Sequence, residues 1–244
     1  MALPRVLVVQ HTASEGALRL GDWLTEAGVE LVFAHPYLGE QLPLGVDGFA
    51  GLLVLGGPQA AYADEHGAPS APWLPATKGL LRAAVAANVP TLAICLGAQL
   101  LAEAFGGRVR PGVNGPEIGA RLVARRDVAA QDELFGMVPF TPDVLQWHDD
   151  EIAELPPGAV LLASSTAYAN QAFRVGERAW GIQFHIETTP EQVAEWAEQT
   201  RARLSAIGID VDRALQGAID VHEDLEEVWR PVARRFAALA GATP

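Results

Sequence analysis

The sequence predicts an α/β protein: a doubly wound, mostly parallel sheet with helices on both faces. Three observations predict it. Short, mostly apolar runs recur at residues 5–10, 30–34, 51–55 and 90–94, and a run that is apolar throughout, without alternation, marks a strand buried on both faces. Stretches with helical spacing of apolar residues lie between them, and that alternation of strand and helix leads to parallel pairing through crossovers. At 244 residues, half of them hydrophobic, the chain is long enough to bury a sizeable core in one α/β domain spanning 1–244.

In chain order, the strand at 5–10 is followed by a loop, His11 to Gly16, and a helix whose inner face includes Leu20, Trp23 and Leu24. Strands at 30–34 and 51–55 follow, the latter running into Gly56, Gly57 and Pro58. A glycine pair before proline lets the backbone turn tightly and bare its N–H groups, though an ordinary turn has the same composition. Residues 60–73 form a loop, and a helix over 73–87 leads to the strand at 90–94. A helix over 96–105 ends at Gly106 and Gly107. Beyond it the pattern is less periodic, with strands expected at 118–124, 144–148, 160–164 and 180–187. Thr189, Pro190 and Gln192 open a helix with a capping box and proline at its first position. Val193, Trp196 and Leu204 mark its packing face, and Leu225, Val228, Val232, Phe236 and Leu239 mark a second. Among them, residues 220–227 hold five acidic side chains, read as a solvated helix face.

The only cysteine, Cys95, falls at the corner between the strand at 90–94 and the next helix. Small neighbours, Ala93 and Gly97, suit a sharp turn that lifts one side chain onto a helix start. There the helix dipole favours thiolate over thiol, and the Leu96 N–H is free to face an oxyanion. Gln99 lies one helical turn on and faces the same space. Taken alone, Cys95 is equally well a small residue buried between strand and helix. Ninety positions later, WGIQFHIE places His185 and Glu187 two apart, on one side of a strand, so that the carboxylate reaches the imidazole and holds its tautomer. Cysteine, histidine and carboxylate then form nucleophile, base and orienter.

The segments ICLGAQ and FHIE resemble the nucleophile and base motifs of the class I, triad-type glutamine amidotransferases, and the chain is most similar to the stand-alone, GMP synthase-like members. The resemblance implies the flavodoxin-like fold of that family and catalysis by Cys95, His185 and Glu187. It also implies an oxyanion hole of the Gly57 and Leu96 N–H groups, a substrate contact by Gln99, and a glutamine-contacting segment at Glu117, Ile118 and Gly119. No cofactor or metal is implied for this half-reaction. Two positions depart from the motif: Ala93 stands for a glycine, and Ala98 where several subfamilies have histidine or methionine. The function so implied is a glutaminase that hydrolyses glutamine through a γ-glutamyl thioester and supplies ammonia to a separate synthetase. The alternatives are a free-standing γ-glutamyl hydrolase or peptidase and a catalytically silent binding module. With no G-x-x-x-x-G-K-[ST] loop, the chain is not expected to make GMP by itself.

A net charge of −13 and a pI near 4.8 argue against nucleic acid and anionic membrane partners. One cysteine cannot form an internal disulfide, which suits the reducing cytoplasm. No secretory leader or spanning segment is expected. His11 is read as a solvated or capping loop residue, and the six histidines have no metal-ligand spacing.

Overall fold

A computed structural model describes residues 2–243. The chain begins with β1 (Arg5–Val9), α1 (Leu18–Glu26), β2 (Glu30–Ala34), β3 (Gly51–Val54), α2 (Leu74–Ala86), β4 (Thr91–Ile94) and α3 (Leu96–Ala104). Strands β5 (Arg108–Pro111), β6 (Glu117–Leu122), β7 (Ala124–Arg125), β8 (Asp143–His148), β9 (Asp150–Glu154), β10 (Val160–Ser164), β11 (Ala172–Val175) and β12 (Ala179–Ile182) follow. Helices α4 (Pro190–Ala206), α5 (Val211–Asp220) and α6 (His222–Leu239) close the chain.

The main sheet has eight strands in the order β2-β1-β3-β4-β12-β11-β10-β7. From β2 to β12 every pairing is parallel, and β11, β10 and β7 continue it antiparallel. The parallel half thus has the flavodoxin-like order, with a switch point where β2 and β3 leave β1 in opposite directions. Its apolar runs serve two cores. Val6, Val8, Leu53, Leu55, Leu92 and Ile94 enter the one that contains α1 and α6, whereas Leu7, Val9, Leu52, Val54 and Ala93 enter the one that contains α2 and α3. Coverage of both faces is the reason these strands do not alternate with polar residues.

Two expected strands are corrected. Residues 118–124 form parts of two strands: β6 pairs with β8 as far as Leu122, Val123 drops into the larger core, and β7 joins β10. The strand at 180–187 ends at Ile182. Beyond it the chain turns so that Phe184 packs on Trp229 of α6, ring centroids 5.2 Å apart. Among the described residues only one bridge, between Leu145 and His185, ties the following stretch to a strand. The C-terminal region has a helix, α5, that was not expected; Val211 of α5 joins Ile118 of β6 and Ala197 and Leu204 of α4 in a small core of their own. That core sets α4 beside the carboxyl ends of the parallel strands. Glu223, Asp224 and Glu227 of the acidic run are exposed, as a solvated helix face requires. Among the described residues no helix is long and apolar enough to cross a membrane.

Candidate active site

The carboxyl ends of β1, β3, β4 and β12 surround a cavity of about 390 Å³, with α4 as its far wall. Such a position, beside the switch point, is where ligands bind in open α/β sheets. Cys95, Gln99, Gly57 and His185 all line it.

Cys95 is presented from between two strands, because β4 pairs with β3 on one side and β12 on the other. Its φ of +49° and ψ of −107° lie outside the ordinary regions for an L-residue. Such strain persists only when the surroundings over-determine it. The surroundings here are the Cys95 N–H donating to the Ile182 carbonyl (2.8 Å) and the Gln99 N–H donating to the Cys95 carbonyl (3.0 Å). Gly97 explains the need for a small residue at the turn, since a Cβ there would press on the Val54 carbonyl and lie 3.1 Å from Val54 Cγ1. Gly97→Ala is expected to lower stability by about 1–3 kcal/mol, the usual cost of overpacking. Urea unfolding checks this, and an unchanged midpoint would mean that β3 yields freely. Ala98, at the other departure from the motif, is buried against Gly181 and does not line the cavity.

His185 and Glu187 meet without the strand that was expected to align them. Nδ1 of His185 lies 2.6 Å from Glu187 Oε1, and both residues are almost wholly buried, at 1% and 3% exposure. Glu187 is held in turn: its Oε2 accepts the Ile186 N–H (2.9 Å) and its carbonyl accepts the Arg19 N–H (3.1 Å). The ring of Trp196 meets the imidazole edge-on at 4.7 Å. Burial works against a charged imidazole, but Glu187 and the Cys95 sulfur outweigh it and hold His185 well above its ordinary pKa. Its buried Nε2, turned toward the Cys95 sulfur, makes no hydrogen bond of ordinary length among the described residues. The N–H groups of Gly57 and Leu96 likewise donate to no protein acceptor among the described residues.

Gln99 Nε2 donates to Gln183 Oε1 (3.2 Å), and Gln183 Nε2 lies 3.7 Å from Cys95 Sγ. Gln183 was not singled out from the sequence, although its place two before His185 was a usable signal. Glu117, Ile118 and Gly119, the segment expected to contact glutamine, are not among the residues that line the cavity. Instead Glu117 takes hydrogen bonds from Ser165 (2.9 Å) and Gln171 (2.5 Å) and faces His148 Nε2 at 3.3 Å. Burial pushes the Glu117 carboxyl up, but these partners, His148 first, bring it below its ordinary value. They thereby support His148, which does line the cavity, as do Asp149 and Asp150.

His11 is corrected as well. It is fully buried behind the β3 turn, its Nδ1 accepts the Trp73 indole N–H (3.0 Å), and burial pushes its pKa down to about 4. A Cβ on Gly57 would lie 2.9 Å from His11 Cβ, so His11 fixes how closely that turn approaches the cavity. Glu15, which follows it in the same loop, also lines the cavity and was not expected from the sequence.

A family model described as glutamine amidotransferase class-I matches residues 24–199. The glutamine amidotransferase-like protein YfeJ of Salmonella typhimurium is 30% identical over 201 residues, covering 82% of this chain and 83% of that protein. A glutamine-hydrolyzing GMP synthase from Thermomicrobium roseum is 37% identical over 137 residues, 56% of this chain but only 23% of that enzyme. Among solved structures, a glutamine amidotransferase from Thermotoga maritima aligns with a TM-score of 0.83 at 29% identity, covering 97% of this chain and 99% of that one.

Proposed function

We propose, from the premise that this chain belongs to the class I glutamine amidotransferase family, that it hydrolyses the side-chain amide of glutamine and delivers the ammonia to a separate synthetase. The observation that carries this is the buried His185–Glu187 pair, whose Nε2 belongs to the same cavity as the strained Cys95.

In the proposed reaction the Cys95 thiolate attacks the amide carbon. A C–S bond forms, and the carbonyl electron pair moves onto oxygen, which the N–H groups of Gly57 and Leu96 stabilise. The pair returns as the C–N bond breaks. His185 gives its Nε2 proton to the departing nitrogen, so ammonia leaves and a γ-glutamyl thioester remains. Water then attacks the thioester, His185 takes its proton, and collapse breaks the C–S bond to give glutamate and the thiolate. Glu187 holds the imidazole tautomer through Nδ1, and Gln99 contacts the bound glutamine. Each step moves protons and electron pairs only, so neither metal nor nucleotide is required. The likeness to part of a glutamine-hydrolyzing GMP synthase supports a partner that consumes the ammonia.

A second reading, a free-standing γ-glutamyl hydrolase, draws on the cavity itself. At about 390 Å³, with Gln199, Thr200 and Arg203 of α4 on its wall, it is in the size range of sites for ligands larger than one amino acid. Amine and ammonia release from glutamine and from a panel of γ-glutamyl peptides, with Cys95→Ala as blank, separates the two. Release from glutamine that a partner accelerates is the expected result. Faster Cys95-dependent cleavage of the peptides would instead make the chain a hydrolase in its own right.

A further inference from the structure

Glu15 stands in the loop between β1 and α1, on the β1 side of the switch point, and reaches across to the β3 turn. A Cβ placed on Gly56 would lie 2.5 Å from Glu15 Oε2, 3.3 Å from His185 Cε1 and 3.6 Å from Cys95 Cβ. The carboxyl, the imidazole edge next to Nε2 and the carbon bearing the sulfur therefore converge on the space that glycine leaves open. The loop is tied to the base it faces. Leu18, just after it, has a φ of +38°, and the next N–H, from Arg19, is the one that binds the Glu187 carbonyl.

No protein N–H or O–H donates to the Glu15 carboxyl among the described residues. Burial, reinforced by Glu187 and partly offset by His185, pushes its pKa up to about 7. Glu15 is half-buried and its carboxyl opens onto the cavity, so a ligand that displaces solvent there must supply a donor in its place. The ligand of the proposed reaction does so at this point. In the bound amide, still planar before attack, the carbonyl oxygen faces Gly57, one residue from Gly56, and the nitrogen faces His185. The N–H syn to that oxygen therefore lies on the side of Gly56 and Glu15. A primary carboxamide has a hydrogen there, whereas a trans secondary amide has its carbon substituent there.

We propose that Glu15 is a specificity-determining residue that accepts this N–H and so selects a primary carboxamide, glutamine, over γ-glutamyl derivatives of alkylamines and peptides. The proposal rests on the hydrolytic assignment above and names its substrate class. A site built around a substrate N–H discriminates strongly against an analogue that lacks it, because the protein acceptor is then left unpaired. The spare volume toward α4 does not relieve this, because the constraint lies at the scissile nitrogen.

The test is kcat/KM for glutamine and for γ-glutamyl methylamide in the wild type, Glu15→Gln and Glu15→Ala, measured at enzyme excess with Cys95→Ala as blank. The wild type is expected to prefer glutamine. Glu15→Ala is expected to lose about 10- to 100-fold on glutamine, the usual effect of a charge-assisted hydrogen bond, and little on the methylamide. The preference then falls at least about tenfold. Glu15→Gln keeps the volume and a carbonyl acceptor, so it should restore part of the preference. An unmoved ratio in both variants, or equal losses on the two substrates, overturns the role of Glu15 alone. A wild type that releases neither ammonia nor methylamine overturns the hydrolytic assignment and this proposal with it.

Discussion

Cys95→Ser is expected to lower glutamine turnover at least about a thousandfold while the protein stays folded. Serine differs from cysteine by one atom, so the strained turn and the hydrogen bonds of residue 95 to Ile182 and Gln99 are retained. The hydroxyl, however, has no usable anion near neutral pH, and neither the helix start nor a neighbouring imidazolium can supply one. The loss should fall on kcat and kcat/KM alike, because the missing bond forms only on the way to the transition state. Steady-state ammonia release, with thermal unfolding as the control for folding, checks it. Near-normal turnover would end the thiolate mechanism. Unfolding of the variant would instead show that the sulfur is needed for packing.

Glu187→Gln is expected to cost about 100- to 10,000-fold in kcat and to move the alkaline limb of the pH profile toward neutrality. The sign follows from His185, whose pKa Glu187 is the first to raise against the cost of burial. The protonated imidazole that gives its proton to the leaving nitrogen is present below the folded-state pKa and is lost as pH rises through it. With the carboxylate replaced by a neutral amide, that loss begins at lower pH. The amide can also present a donor to Nδ1, which favours the wrong tautomer. A pH-rate series on wild type and variant reads both effects. An unshifted alkaline limb would mean that Glu187 holds only the backbone at Ile186, whose N–H it accepts at 2.9 Å.

The doubly wound half of this fold is legible in the sequence because Val6–Val9 and Leu52–Leu55 are buried on both faces, which leaves an unbroken apolar run. The antiparallel half is not. Ala172–Val175 is short, carries an arginine whose head group pairs with Asp132 at 2.7 Å, and has no periodicity to distinguish it from loop. Cys95, Gln99 and His185 are legible because their spacing matches local geometry: a strand-to-helix corner, one helical turn, a motif. The i, i+2 argument for Glu187 reaches the observed contact through backbone that is not strand, so its success depends on the hydrogen bonds that tie residues 183–187 to Gln171, Leu145 and Arg19. Glu15 and His11 could not be found in this way. Their positions depend on which strand ends lie side by side at the switch point, and that is decided by sheet order, not by any local pattern.

The contact of Phe184 with Trp229 has a consequence for where the reactive unit ends. The segment bearing His185 and Glu187 has almost no ladder of its own. Its immediate neighbour leans on a ring from α6, and that ring is anchored by an indole N–H to the Asp143 carbonyl at 3.1 Å. Further on, Thr188 meets His222, the first residue of the same helix, at 3.3 Å. The family match ends at residue 199 and leaves this buttress outside. Every residue of the proposed chemistry thus lies ahead of the helix that keeps the base from swinging, so a lesion that strips away the last few turns of the chain would read, in an assay, as an active-site defect.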